Sequence, residues 1–232
     1  MSFFYKLTYS GAQKRLSIYN WGCNFNCKIC TYKIRSPYAG EVPLEMKQIK
    51  PLIKRMYEEQ KINKVHFLGG EPTTNPYLSE LVDFINLLGL TAHLGHTNGT
   101  NLIAGVSSMT ISIKAVTANL HLDYTGVSNK RVLENISIAY KNGITIKTNT
   151  VFIPNYVDLE EIAKIANFLS SLSPDIPLHI IGYIPVPGLP FRKPHKKEIL
   201  EAVKRAMNSL HTVTWSLFSK IEEINYKSKR IL

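Results

Sequence analysis

No apolar run in this sequence approaches the roughly 18 residues that a membrane span needs. The first residues, Met1-Ser-Phe-Phe-Tyr-Lys, lack the basic region and long apolar core of a secretory signal. The expected location is therefore the cytoplasm. No internal repeat and no low-complexity linker interrupts the chain. Collagen-like and disordered classes are excluded by a composition of 44% hydrophobic and 19% charged residues. No nucleophilic serine elbow and no histidine pair at zinc-protease spacing is visible. Acidic residues are scarce, with Asp and Glu at 17 against Lys and Arg at 28, a formal charge of +11. That balance favours acidic partners such as nucleic acid or an acidic protein or substrate. Much of the charge is spread along helical segments, with denser clusters at Arg192–Lys197 and at Lys227, Lys229 and Arg230.

Cysteine is the scarcest informative residue. There are three, all in Cys23-Asn-Phe-Asn-Cys27-Lys-Ile-Cys30. An odd count in so short a stretch is no disulfide framework. Gly22, Asn24 and Asn26 make the stretch a loop, where thiols have no packing reason to gather. Three converging thiols point to a soft metal ion or an iron–sulfur cluster. A structural zinc site wants four ligands, usually in separated pairs, and no histidine supplies the fourth at finger-like spacing. Three protein ligands would leave one iron of a four-iron cluster open to chemistry.

The apolar pattern predicts alternating strands and helices. Strands are expected at 16–20, 64–68, 91–94, 109–114, 144–153 and 178–184. Helices are expected at 44–60, 77–88, 130–141, 158–172 and 196–210, and 212–217 reads as a last strand or a packing segment. Six strand-then-helix units imply a parallel sheet with outer helices, closed into a partial (β/α)6 TIM-like barrel. The 232 residues read as one domain, with a core of roughly 15–190 and a C-terminal helix and basic tail over 191–232. The polar motifs all follow strand ends: the cysteine loop, Gly69-Gly70-Glu71-Pro72, His96-Thr97-Asn98-Gly99, Ser112 with Lys114, Asn149, and Tyr183. In such barrels the active site lies at those carboxyl ends.

Cys23-x3-Cys27-x2-Cys30 after strand one, with Gly69-Gly70-Glu71-Pro72 after strand two, resembles the radical S-adenosylmethionine superfamily. The chain is most similar there to the activating enzymes of glycyl-radical enzymes. Its departures are Ile29, where an aromatic is usual, and His96 and Ser112, where activating enzymes often carry acids. The resemblance implies that Cys23, Cys27 and Cys30 hold a [4Fe-4S] cluster whose fourth iron is chelated by S-adenosylmethionine. It implies that Gly69 and Gly70 admit the methionyl group and that Glu71 accepts from its ammonium. Lys114 would face the carboxylate and Ser112 the ribose hydroxyls, Asn98 would be a further cofactor contact, and Val151 and Ile153 would pack on adenine. One electron would cleave the sulfonium, and the 5′-deoxyadenosyl radical would abstract hydrogen from a substrate, a protein glycine being the activating-enzyme case. A flavodoxin- or ferredoxin-type protein would donate the electron. The same residues admit other substrates, an RNA base or a small metabolite. They also admit a different class, a non-catalytic basic protein that uses a metal knot to bind nucleic acid. The chelating loop after strand two favours the enzyme, since a binding module has no use for it.

Overall fold

The computed structural model describes residues 2–30, 42–218 and 229–232. Among them one sheet of nine strands runs in the order β8-β7-β6-β5-β4-β3-β2-β1-β9. The strands are β1 (Phe3–Ser10), β2 (Arg15–Trp21), β3 (Lys64–Gly69), β4 (Thr91–Thr97), β5 (Ser108–Ser112), β6 (Thr145–Phe152), β7 (Leu178–Gly182), β8 (Val213–Ser216) and β9 (Lys229–Arg230). Strands β2 to β8 are parallel neighbours, while β1 pairs antiparallel with β2 and with β9. The helices are α1 (Met46–Glu58), α2 (Leu78–Leu87), α3 (Ala118–Thr125), α4 (Lys130–Lys141), α5 (Leu159–Ser170) and α6 (Lys196–Met207). Among the described residues β8 and β9 are the edges of the sheet, which is open there, as expected for a partial barrel.

The inner parallel strands β2 to β5 follow the period-2 rule on their packed face. Leu16 and Ile18, Val65 and Phe67, Ala92 and Leu94, and Met109 and Ile111 are buried against the helices. The helices return apolar stripes, such as Ile49, Ile53 and Met56 of α1 and Ile162, Ile165 and Leu169 of α5. Asp158 caps α5 by accepting from the Leu159 amide, with Glu160 and Glu161 in the first turn.

Three features depart from the sequence reading. Strand β1 was not expected. A register shift between Phe4 and Lys6 breaks its alternation, so its burial pattern carries no clean period. Helix α3 was not expected either, since its eight residues have almost no apolar stripe and only His121, Tyr124 and Thr125 are buried. The strand-three unit lacks its helix, because β4 passes to β5 through residues 98–107 without one. Strand β8 does form, and β1, β8 and β9 carry the sheet past both ends of the expected 15–190 core.

Candidate active site

The cysteine loop leaves β2 at Trp21 and folds across the carboxyl ends of β2, β3 and β4. Two backbone bonds pin it to the end of α3: Asn26 N to Thr125 O at 2.9 Å and Lys28 N to Tyr124 O at 3.0 Å. Lys28 Nζ pairs with Asp123 at 2.5 Å, and Tyr156 donates to the other oxygen of Asp123 at 2.6 Å. Phe25 meets the buried His121 ring edge-on, with centroids 5.6 Å apart. His121 Nδ1 donates to Val127 O at 2.8 Å, and burial holds its pKa down, so it is a neutral packing residue.

The thiols share this loop but are not drawn to one point. Among the described residues no three His, Cys, Asp or Glu side chains stand together at metal-binding distance. Their surroundings nonetheless suit iron. The Phe25 amide donates to Cys23 Sγ at 3.3 Å, and the Asn98 side-chain amide lies 3.9 Å from the same sulfur. Such N–H donors favour a thiolate ligand of a cluster. Loss of water around the sulfur, then the charges of Glu71, Cys27 and Cys30, raise the Cys23 thiol to about 11, although the residue keeps an exposed edge. A bound metal would have to displace that proton.

The Gly69–Glu71 loop lies against the cysteine loop. A Cβ on Gly70 would stand 2.0 Å from Gly22 O, and one on Gly69, at φ +91°, would stand 2.3 Å from Asn20 O. These glycines are required by backbone packing against the segment that leads into Cys23, which is not the reason the sequence offered. The Glu71 carboxylate is fully buried. Its Oε1 accepts from Thr73 N, Thr73 Oγ1 and Thr97 Oγ1 at 3.1, 2.7 and 2.8 Å, and Oε2 from Asn98 N at 2.5 Å. With these donors in place the side chain ties the two loops together. Asn98 is committed likewise: Nδ2 donates to Asn24 Oδ1 at 2.7 Å and Oδ1 accepts from Thr100 N and Oγ1. It braces the cysteine loop. Ile153 is wholly buried and bridged to Val157.

Ser112, Lys114 and Val151 remain partly accessible at the strand ends. Ser112 stands beside Asn149 in register, and the Ile113 amide donates to Asn149 O at 2.8 Å. No carboxylate lies within ion-pair distance of Lys114 among the described residues. Asn149 is buried and lies 3.3 Å from His96 Nδ1. Tyr183, also buried, accepts from the Val186 amide at 2.8 Å.

Sequence reasoning missed Glu161. It projects from α5 to accept from Val116 N, Thr117 N and Thr117 Oγ1 at 2.6, 2.9 and 2.5 Å. One carboxylate thereby holds both the segment after Lys114 and the start of α3. Its place in the first turn of α5 is what the sequence showed. The Arg192–Lys197 cluster is partly neutralised, since Arg192 makes a two-pronged pair with Glu198 and Lys196 lies 5.9 Å from the Trp215 ring centre. Lys227 lies outside the described residues.

No helix among the described residues is long and apolar enough to cross a membrane. Comparison with known proteins agrees with the geometry. A protein of Methanocaldococcus jannaschii named "Putative glycyl-radical enzyme activating enzyme" is 36% identical over 228 residues, covering 94% of this chain and 86% of its own. QueE of Escherichia coli superposes with a TM-score of 0.57 at 14% identity, covering 94% of this chain and 95% of its own. SuiB of Streptococcus suis, solved with S-adenosylmethionine bound, superposes at 0.63 and 14% identity over 88% of this chain, which spans about half (51%) of SuiB. Residues 18–169 match the Radical SAM superfamily. That match covers the cysteine loop, the Gly69–Glu71 loop and most of the parallel sheet, and the chain belongs to the radical S-adenosylmethionine superfamily.

Proposed function

We propose that this protein holds a [4Fe-4S] cluster on Cys23, Cys27 and Cys30, binds S-adenosylmethionine at the carboxyl ends of β2–β6, and abstracts hydrogen from a substrate inside the barrel. The observation that carries this reading is the fusion of three loops into one unit. Gly70 packs on Gly22, Glu71 binds Asn98, and Asn98 binds Asn24 beside Cys23. When bound, the cluster and S-adenosylmethionine supply a one-electron cleavage and a 5′-deoxyadenosyl radical. The chain's own residues supply the rest. The Gly69–Gly70 backbone, not the Glu71 side chain, presents the surface for the methionyl end. Lys114 offers a cation for its carboxylate, and Ser112 a hydroxyl for the sugar. Val151 offers an apolar edge. A small electron-transfer protein is the reductant this chemistry requires. The relative named as a glycyl-radical enzyme activating enzyme supports a protein glycine as one substrate.

The test is an anaerobic reaction of the reconstituted, reduced protein with S-adenosylmethionine, followed by chromatography. Methionine and 5′-deoxyadenosine are expected, slowly without substrate. Intact S-adenosylmethionine over a fully loaded cluster would overturn the reading.

A further inference from the structure

The seven parallel strands contain no Asp or Glu, yet they carry Arg15, Lys64, Lys147 and four histidines. These side chains share the concave face, opposite the helix-packed residues. Arg15 pairs in register with Lys64, and Lys64 with Thr91. One layer nearer the active site, His66 pairs with His93, and their rings lie 4.9 Å apart. Lys147 follows on β6 beside Thr110. His96 reaches the same interior because the β4–β5 register slips between Leu94 and Thr97, putting Gly95 and His96 where one residue would stand. Glu71, a buried carboxylate at the barrel mouth, already accepts from four donors of its own loops.

This cluster is unfavourable for folding alone. Arg15 Nε is buried with no hydrogen-bond partner. The side-chain salt bridges among the described residues include none to Arg15, Lys64 or Lys147. Burial and the neighbouring charges of His93, Arg15 and Lys64 hold His66 down to about 3, so it is neutral and can donate one N–H. A protein whose sequence violates local electrostatic rules at one place usually does so where it works.

We infer that the inner face of the barrel binds a phosphoryl-bearing small molecule, its anionic group held by Arg15, Lys64 and Lys147 with His66 as a neutral donor beside them. Three cations on one sheet face, from β2, β3 and β6, suit a multiply charged tetrahedral oxyanion better than a single carboxylate. The distance also fits. Lys64, with Arg15 beside it, lies five residues below Gly69, about 17 Å at the strand rise. A molecule of that length anchors at one end on the cations and presents a C–H bond at the strand ends. This inference rests on the proposed radical chemistry and names its substrate class.

The test is calorimetric titration of the full-length, cluster-loaded protein with inorganic pyrophosphate, and separately with citrate. Pyrophosphate is expected to bind at least tenfold tighter than citrate. Lys64→Gln and Lys147→Gln should each weaken it about tenfold while far-ultraviolet circular dichroism stays unchanged. Lys197→Gln, on the outer helix α6, should leave it within twofold. Equal weakening by Lys197→Gln would show a general field and overturn the inference, as would citrate binding tighter or no pyrophosphate binding by folded wild type. Because no turnover is read, failure of S-adenosylmethionine cleavage with intact pyrophosphate binding strikes the radical reading alone.

Discussion

Glu71 Oε2 accepts the Asn98 backbone amide at 2.5 Å, closing the gap between the loops that follow β3 and β4. Burial raises the Glu71 carboxyl above its ordinary range, and bonds from Thr73, Asn98 and Thr97 pull it back. Deleting the side chain strands all of these donors in a dry site, each at about 1–3 kcal/mol. Glu71→Ala should therefore destabilise the fold by about 4 kcal/mol or more, read by urea unfolding. Glu71→Gln, which keeps one acceptor but adds an NH2 among donors, should fall between. A loss below 1 kcal/mol for the alanine variant would show that the latch is not structural.

Gly70 tests whether the glycine motif serves the ligand or the scaffold. A Cβ there meets Gly22 O at 2.0 Å, one residue from Cys23. Gly70→Ala should shift the cysteine loop, so iron content after reconstitution should fall together with S-adenosylmethionine affinity, and stability by about 1–3 kcal/mol. Gly89→Ala, at φ +76° with nothing near its Cβ, should cost only the left-handed backbone, about 1 kcal/mol, and keep its iron. Full iron in Gly70→Ala would restore the view that the glycines serve only the ligand.

What the sequence made legible followed from regular periods and local motifs. Strands β2 to β7 and five helices obey periods of 2 or 3.6, and the cysteine spacing with Gly69-Gly70 marked the mouth. What it hid depended on tertiary bonds. Helix α3 has no stripe to read and is held from α5 by Glu161. The engagement of Glu71 and Asn98 with other loops, and the turn of His96 into the lumen by a register slip, leave no local trace. Ile153 alternates like a ligand-facing residue, but its bridge to Val157 buries it.

Glu161 should act on the cluster without touching it. Its carboxylate holds Val116 and Thr117 at the start of α3, and the end of α3 supplies the Tyr124 and Thr125 carbonyls that hold the cysteine loop. Glu161→Ala should cost about 1–3 kcal/mol from the stranded amides. It should also hasten iron release to a chelator, followed by loss of cluster absorbance. Asp123→Asn breaks only an exposed pair, about 0–1 kcal/mol, and should release iron more slowly than Glu161→Ala. Equal release from Glu161→Ala and wild type would uncouple α3 from the loop.

Acid should destabilise the protein before its carboxylates titrate. Burial, reinforced by nearby positive charge, holds His66 to about 3 and His96 to about 4, against an ordinary 6.5. Between those values the unfolded chain binds protons that the folded chain refuses. Stability is thus full above about 6.5 and falls as pH drops toward 4. Glu71, raised above 4.5 by burial, works the other way and partly offsets this loss. The urea midpoint should be lower at pH 5 than at pH 7.5, and His66→Gln should shrink the difference. A flat midpoint across that range would refute the assignment.

Lys114 is the last element of the proposed cofactor site and the most accessible cation at the strand ends. It follows Ser112 on the strand-end segment, and the intervening Ile113 amide is fixed by the Asn149 carbonyl at 2.8 Å. Lys114 is half-buried at the strand end. A charge-assisted bond to a carboxylate contributes about 1.5–3 kcal/mol, or roughly 10- to 100-fold in affinity. Lys114→Met keeps the stem and removes the ammonium. It should lower S-adenosylmethionine affinity by that factor in calorimetry while iron content stays at the wild-type level, because no cysteine contact involves this side chain. Lys197→Met, on the outer face, should change neither. Unaltered affinity in an iron-replete Lys114→Met protein would remove Lys114 from the cofactor site and leave the methionyl carboxylate to backbone donors alone.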